Sequence, residues 1–315
     1  IHTYKQTKTH TYKHNIIMEL VNHLTDRLLF AIPKKGRLYQ KSVEILNGSD
    51  IKFHRSQRLD IALSTNLPVA LIFLPAADIP MFVGEGKCDL GITGVDQVRE
   101  ANIDVDLPID LKFGSCKLQV QVPNNGEYTK PEQLVGKTIV STFTNLTKKY
   151  FAKLEGVPES QMTTKVKYVG GSVEASCALG VADAIVDLVE SGETMRAAGL
   201  IDIATVLDTS AHLIQSKYPK GDAELIETIK SRIEGVMTAQ RYVYCTYNAA
   251  KVSLPSLLAI TPGRKAPTLT NVGDDGEWVA VAAMIEKNKK GAIMDELKKN
   301  GATDIIVFDI SNCRV

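Results

Sequence analysis

From Arg27 to about residue 200, short apolar runs alternate with amphipathic stretches, and few folds accommodate that rhythm. LLFAIP (28–33), VALIFLP (69–75), CDLGITG (88–94), LQVQVP (118–123), KTIVST (137–142) and KVKYVG (165–170) have the length and β-branched content of strands. Between them, Leu38 to about Leu46, DIPMFVGEG, VDQVREA and TKKYFAKLEG read as helices, two of them closed by glycine. Strands spaced by helices in this way form parallel α/β units rather than a sandwich. After the helix DAELIETIKSRIEGVMTAQ (222–240) the pattern changes. RYVYCTYNA, PTLTNV, EWVAVAAMI and TDIIVFDI alternate as strands, and KVSLPSLLAIT and NKKGAIMDELKKNG suit helices. The order β-α-β-β-α-β is that of a ferredoxin-like domain, which begins at residue 241.

Charge and cysteine content exclude several classes. Lys+Arg 37 against Asp+Glu 36 gives a net charge of +1, so no bulk basic field can hold nucleic acid or an anionic membrane. Any bound anion has to be held by local geometry. Cys88, Cys116, Cys177, Cys245 and Cys313 are scattered and never form a C-x-x-C pair, against both a disulfide framework and a thiolate zinc site. No apolar run approaches the roughly 20 residues of a membrane span. A soluble, cytoplasmic protein is the expectation. Residues 1–17, rich in His, Lys, Thr and Tyr and without an acid, show no periodicity and read as a disordered extension. His2, His10, His14 and His23 lack a supporting ligand cluster, so no metal site is assigned to protein side chains.

The stretch VADAIVDLVESGETM (181–195) carries the most chemistry. An apolar strand bearing Asp183 and Asp187 ends in Ser191-Gly192-Glu193-Thr194, which opens a helix. A glycine-containing loop at that point turns backbone N–H groups toward one place, favourable for a phosphate. Two acids nearby would repel a phosphate alone, but they suit a ligand that also offers vicinal hydroxyls, as a ribose 5-phosphate does. The plain alternative is an ordinary helix cap at Ser191.

These residues, with Glu174 upstream, resemble the signature of the ATP phosphoribosyltransferase family, which performs the first step of histidine biosynthesis. Lys35-Gly36-Arg37-Leu38, Gln57-Arg58-Leu59 and Asp89-Leu90-Gly91-Ile92-Thr93-Gly94 match its amino-terminal motifs. Thr261-Pro262-Gly263, Pro267-Thr268, Trp278-Val279-Ala280-Val281 and Asp309-Ile310 with Cys313-Arg314 resemble the regulatory domain of its long form. The resemblance covers about residues 27–315. It implies a two-lobed, periplasmic-binding-protein-like catalytic part, lobe one being 18–115 with 200–240 and lobe two 116–199, followed by a regulatory domain at 241–315.

It further implies transfer of the phosphoribosyl group of 5-phosphoribosyl 1-pyrophosphate to N1 of the adenine of ATP, with pyrophosphate leaving alongside Mg2+. No protein nucleophile is needed. Glu174, Asp183, Asp187, Ser191, Gly192, Glu193 and Thr194 are the implied phosphoribosyl site, although Glu174 can equally be read as a first-turn helix acid. Lys35, Gly36, Arg37, Arg58, Gly91, Thr93, Gly94 and Asp96 are the implied ATP and pyrophosphate site; only one of Lys34 and Lys35 can aim into a cleft, and the sequence does not decide which. Gly91 to Asp96 also read as a plain strand-to-helix turn. L-histidine is the implied inhibitor, with Thr268 in its segment, and dimers and hexamers are the implied assemblies. A two-lobed receptor or effector module without catalysis is the rival reading; pyrophosphate release separates the two. A nicotinamide-dependent dehydrogenase is excluded, because Lys35-Gly36-Arg37 stands where G-x-G-x-x-G is required.

Overall fold

The computed structural model describes residues 24–56, 59–273 and 276–314. The segment 1–17, His23 and Arg58 lie outside the described residues. In chain order the first strands and helices are Leu28–Pro33 (β1), Gly36–Gly48 (α1), Ile61–Leu63 (β2), Val69–Leu74 (β3), Ile79–Gly84 (α2), Leu90–Gly94 (β4), Val95–Ala101 (α3) and Asp106–Asp110 (β5). Cys116–Pro123 (β6), Thr138–Ser141 (β7), Thr144–Glu155 (α4), Lys165–Tyr168 (β8), Ala175–Ala178 (α5), Ala184–Val189 (β9), Glu193–Ala197 (α6) and Leu200–Thr209 (β10) follow. Ala211–Gln215 (β11) and Ala223–Arg241 (α7) lead to Tyr242–Ala250 (β12), Leu254–Ile260 (α8), Thr268–Val272 (β13), Trp278–Glu286 (β14), Lys290–Lys299 (α9) and Thr303–Asp309 (β15).

Three sheets result. The first has the order β2-β3-β1-β4-β11-β5, the second β10-β6-β9-β7-β8 and the third β13-β14-β12-β15. β1 lies parallel to β3 and β4 and is almost wholly buried, which explains its uninterrupted apolar sequence. The chain leaves the first sheet after β5, builds the second, and returns at Ser210 into β11. Two crossings between two α/β lobes give the periplasmic-binding-protein-like arrangement.

Both sheets are mixed rather than purely parallel. β10 runs antiparallel to β6, and β11 antiparallel to β4 and β5. Sequence reading misses β10 because two register shifts, at Asp202/Ala204 and Thr205/Leu207, break its apolar alternation. β5 carries Pro108 and two acids, tolerable because it lies at a sheet edge. Residues 200–209 therefore belong to the second sheet, not to the first lobe as expected above. The chain divides into two compact units, 24–43 with 52–226 and 44–51 with 227–314, so 227–240 also departs from that expectation.

The second unit contains the antiparallel sheet in the ferredoxin-like strand order. Leu257 of α8 and Leu297 of α9 bury themselves against Val243, Cys245, Tyr247 and Val281 on one face of it. The fully buried Tyr247 keeps its hydroxyl satisfied: it shares a 2.8 Å hydrogen bond with Thr261 Oγ1 and donates to the Leu257 carbonyl.

Candidate active site

A cavity of about 600 Å3, well within the range of small-molecule sites, opens between the two lobes of the first unit. The second lobe contributes Glu174, Asp187, Glu190 and the run Ser191–Met195. The first contributes Arg37, Gln40, Lys41, Gly94, Asp96 and Gln97. Phe113, Gly114 and Cys116, where the chain passes between lobes, also line it.

On the second lobe the chemistry follows from β9. Its buried half, Ala184–Val186, is pinned between β6 and β7, and the strand then delivers Asp187 to the cavity. Asp187 Oδ1 accepts the Leu188 N–H at 2.8 Å. Burial, with the Glu174 charge adding to it, pushes the Asp187 carboxyl above its usual range against that hydrogen bond. Glu174 stands at the N-cap of α5 yet makes no capping bond, so its carboxylate is not spent on the helix.

β9 ends at Val189, and three residues on Gly192, with φ +75°, occupies the N-cap of α6. Ser191 is thus not the N-cap itself; its Oγ accepts a long 3.4 Å bond from the Glu193 N–H. A Cβ on Gly192 would meet Arg196 Nη1 at 2.5 Å, and Arg196 Nη2 donates to the Ser191 carbonyl at 2.9 Å. The loop is tied by its own helix. The first-turn amides of α6 have no carbonyl within the helix to bond.

On the first lobe, Arg37 sits in the opening turn of α1, where its guanidinium forms an ion pair with Glu190 of the opposite lobe. Asp96, in the first turn of α3, is buried: Oδ1 accepts the Thr209 hydroxyl at 2.7 Å and Oδ2 the Gln97 amide at 2.7 Å. A Cβ at Gly94 would run into Asp96 Oδ1. The Cys116 thiol is pushed up to about 11 by burial and by the charges of Asp96 and Glu190, so it is neutral and no nucleophile at ordinary pH.

Several expected residues are elsewhere. Asp183 precedes β9 at its far end, and its Oδ2 accepts the Thr138 N–H at 2.8 Å while its own N–H donates to the Thr138 carbonyl. It is a strand clasp and not part of the cavity lining. Thr93 is buried, donating to the Ala76 carbonyl at 2.8 Å. Gly91 is small because Ile79, Val83 and Ile214 press on it; a Cβ would approach Ile79 to 2.7 Å. Asp89 of the same motif holds the N–H groups of Leu29, Lys220 and Gly221. That motif is largely architectural. Lys35 and Gly36 are exposed just before Arg37, and neither lines the cavity. Thr268 begins the exposed strand β13 in the other unit.

Glu190 and Gln121 were not anticipated. Glu190 lies within the run 181–195 and was readable as a third acid beside the loop. Gln121, buried on β6 with Nε2 donating to the Asp187 carbonyl at 3.3 Å, gives no signal in sequence.

An acid pair, a glycine-bent helix entrance and an arginine converge on one interlobe cavity of a two-lobed α/β protein. The HisG family, ATP phosphoribosyltransferase, matches over residues 75–235, and the HisG C-terminal domain over 239–312. The ATP phosphoribosyltransferases of Kluyveromyces lactis and Saccharomyces cerevisiae are 80% and 75% identical over 298 residues, spanning 95% of this chain and 100% of each relative. The ATP phosphoribosyl transferase (HisG:HisZ) complex of Thermotoga maritima shares the fold, with a TM-score of 0.55 at 23% identity over 66% of this chain and 98% of that one. The chain belongs to the ATP phosphoribosyltransferase family. It is a transferase that acts in the first step of histidine biosynthesis.

Proposed function

We propose that the interlobe cavity is where phosphoribosyl transfer occurs, with 5-phosphoribosyl 1-pyrophosphate on the second lobe and ATP entering against the first. The observation that carries this reading is the convergence of Glu174, Asp187 and residues 191–194 on one wall with Arg37 on the other. The 5-phosphate rests on the amides and hydroxyls of Ser191–Thr194. Asp187, and Glu174 beside it, accept hydrogen bonds from the ribose hydroxyls.

The new bond forms between adenine N1 and ribose C1 as the bond from C1 to pyrophosphate breaks, its electron pair leaving with pyrophosphate. Positive charge develops on the ribose ring, and the two carboxylates are placed to stabilise it without forming a bond. Burial and the Glu174 charge raise the affinity of Asp187 for a proton, so its ionisation is disfavoured. A hydroxyl donor or a positive ring offsets that cost. Arg37 exchanges Glu190 for a phosphate oxygen, and the exposed Lys35, two residues earlier in the chain, is a second candidate cation. The lobes hold the reacting atoms in contact and keep water out.

Among the described residues no cluster of three or more His, Cys, Asp or Glu can hold a metal ion alone. The carboxylates of Glu174 and Asp187 would be the protein donors to a Mg2+ ion that arrives with the diphosphate. When bound, Mg2+ neutralises charge on the departing pyrophosphate.

The family resemblance supports inhibition by L-histidine at the ferredoxin-like unit, in the segment of Thr268, and assembly into dimers and hexamers. Five free cysteines support a reducing, cytoplasmic setting, and among the described residues no helix is long and apolar enough to cross a membrane. Pyrophosphate release from ATP plus 5-phosphoribosyl 1-pyrophosphate with magnesium, repeated with histidine, tests both units. Turnover that histidine lowers is expected; turnover indifferent to histidine would remove the regulatory assignment.

A further inference from the structure

α4 of the second lobe lacks a cap of its own. Its N-cap residue is Phe143, whose side chain can accept no hydrogen bond and is buried in the lobe's core. The missing acceptor comes from the other lobe. Glu100, near the end of α3, receives the Asn145 N–H on Oε1 at 2.9 Å and the Leu146 N–H on Oε2 at 2.9 Å. The Asn145 amide donates back to the Glu100 carbonyl at 2.8 Å, and Lys149 Nζ donates to Asn102 Oδ1 at 2.8 Å. A carboxylate at a helix amino terminus also meets the positive end of the helix dipole.

One turn earlier on α3, Asp96 holds Thr209 of the second sheet. Two carboxylates at i and i+4 on one first-lobe helix thus grip the second lobe at two places. The grip leads to the site through short contacts. Phe143 N–H donates to Ser141 Oγ at 2.9 Å, and that hydroxyl donates to the Val186 carbonyl at 2.6 Å. Val186 immediately precedes Asp187.

We infer that Glu100 is a positioning residue for the transfer reaction: by capping α4 from the opposite lobe it fixes the orientation of Asp187 and the 191–194 loop relative to Arg37 and Asp96. The inference rests on the cavity being the reaction site. Its cap is complete only while the lobes keep this arrangement, so losing it enlarges the population of misaligned lobes.

The test compares Glu100→Ala and Glu100→Gln in the full chain by steady-state kinetics for both substrates and by hydrogen exchange at 143–149. Alanine should lower kcat/KM roughly three- to thirtyfold, the factor that the loss of an N-cap represents. The loss should be equal for ATP and for 5-phosphoribosyl 1-pyrophosphate, with faster exchange at Asn145 and Leu146. Glutamine, which keeps one acceptor, should recover part of both, and it carries the test if the alanine protein does not fold. Faster exchange with unchanged kinetics, or a loss confined to one substrate, would overturn the inference. Full activity in Asp187→Asn with a deficit in Glu100→Ala would instead sink the site and leave the lobe contact standing.

Discussion

Asp187→Asn separates what the site costs from what it does. The substitution keeps the shape and keeps an oxygen for the Leu188 N–H, but removes a charge that burial and Glu174 disfavour. In the folded protein the Asp187 carboxyl has a raised pKa, so its contribution to stability is full below the unfolded value and lost as pH rises through the folded one. At neutral pH the ionised group therefore lowers the stability of the fold. Relief of a strained functional site is worth about 1 kcal/mol, or about 2–4 °C in Tm for a unit of this size. Catalysis should move the other way. Two ribose hydroxyls lose charge-assisted bonds for neutral ones, about 2–3 kcal/mol together, which is roughly thirty- to a hundred-and-fifty-fold in kcat/KM. Thermal melts at pH 7 and below pH 4, beside a pyrophosphate-release assay, read both quantities. The gain in Tm should shrink as pH falls and Asp187 takes up its proton. A protein that is as active as the parent, or one that melts lower at pH 7, would refute the reasoning.

Three further outcomes follow from the same geometry. Glu190→Gln releases Arg37 from its ion pair and should lower the KM for the anionic substrates severalfold while tightening inhibition by pyrophosphate; competition assays at low ionic strength measure both. Gly192→Ala forces a left-handed backbone on alanine and displaces Arg196, costing about 1–2 kcal/mol and raising the KM for the phosphoribosyl donor; melts and initial rates check it. For Glu155, burial acts upward, but hydrogen bonds from Thr163 and Thr164 outweigh it and bring the carboxyl from 4.5 down to about 2. Its stabilisation is complete above the unfolded value and lost as pH falls through about 2, so Glu155→Gln should flatten the acid limb of the stability curve in that window.

How far the sequence could be read depended on how local each cause was. Strands such as β1 and β3 announce themselves because a strand buried on both faces has to be apolar throughout. β10 does not, since its bulges disrupt the alternation that a reader counts. The loop at 191–194 was legible because a glycine before a helix is a local device. Asp183 misled because it immediately precedes the strand that carries Asp187, four residues on. Strand periodicity gives the residues of a strand a face but cannot say which end meets the ligand. Thr93 and Gly91 misled for a similar reason: their motif suits a ligand turn as well as a tightly packed one, and only Ala76, Ile79 and Ile214 decide between them.

The amino-acid order alone determined the alternating strand–helix architecture of both parts and the glycine-led helix entrance at 191–194, because hydrophobic period, helix entry and glycine conformation act over a few residues. Folding in three dimensions decided the rest. Arg37 finds Glu190, Asp96 finds Thr209 and Glu100 completes a helix belonging to the other lobe, each across a separation that no local pattern encodes. Charges and amides so far apart in the chain acquire their partners only when two separately built sheets come together, and it is there that the cavity takes its shape.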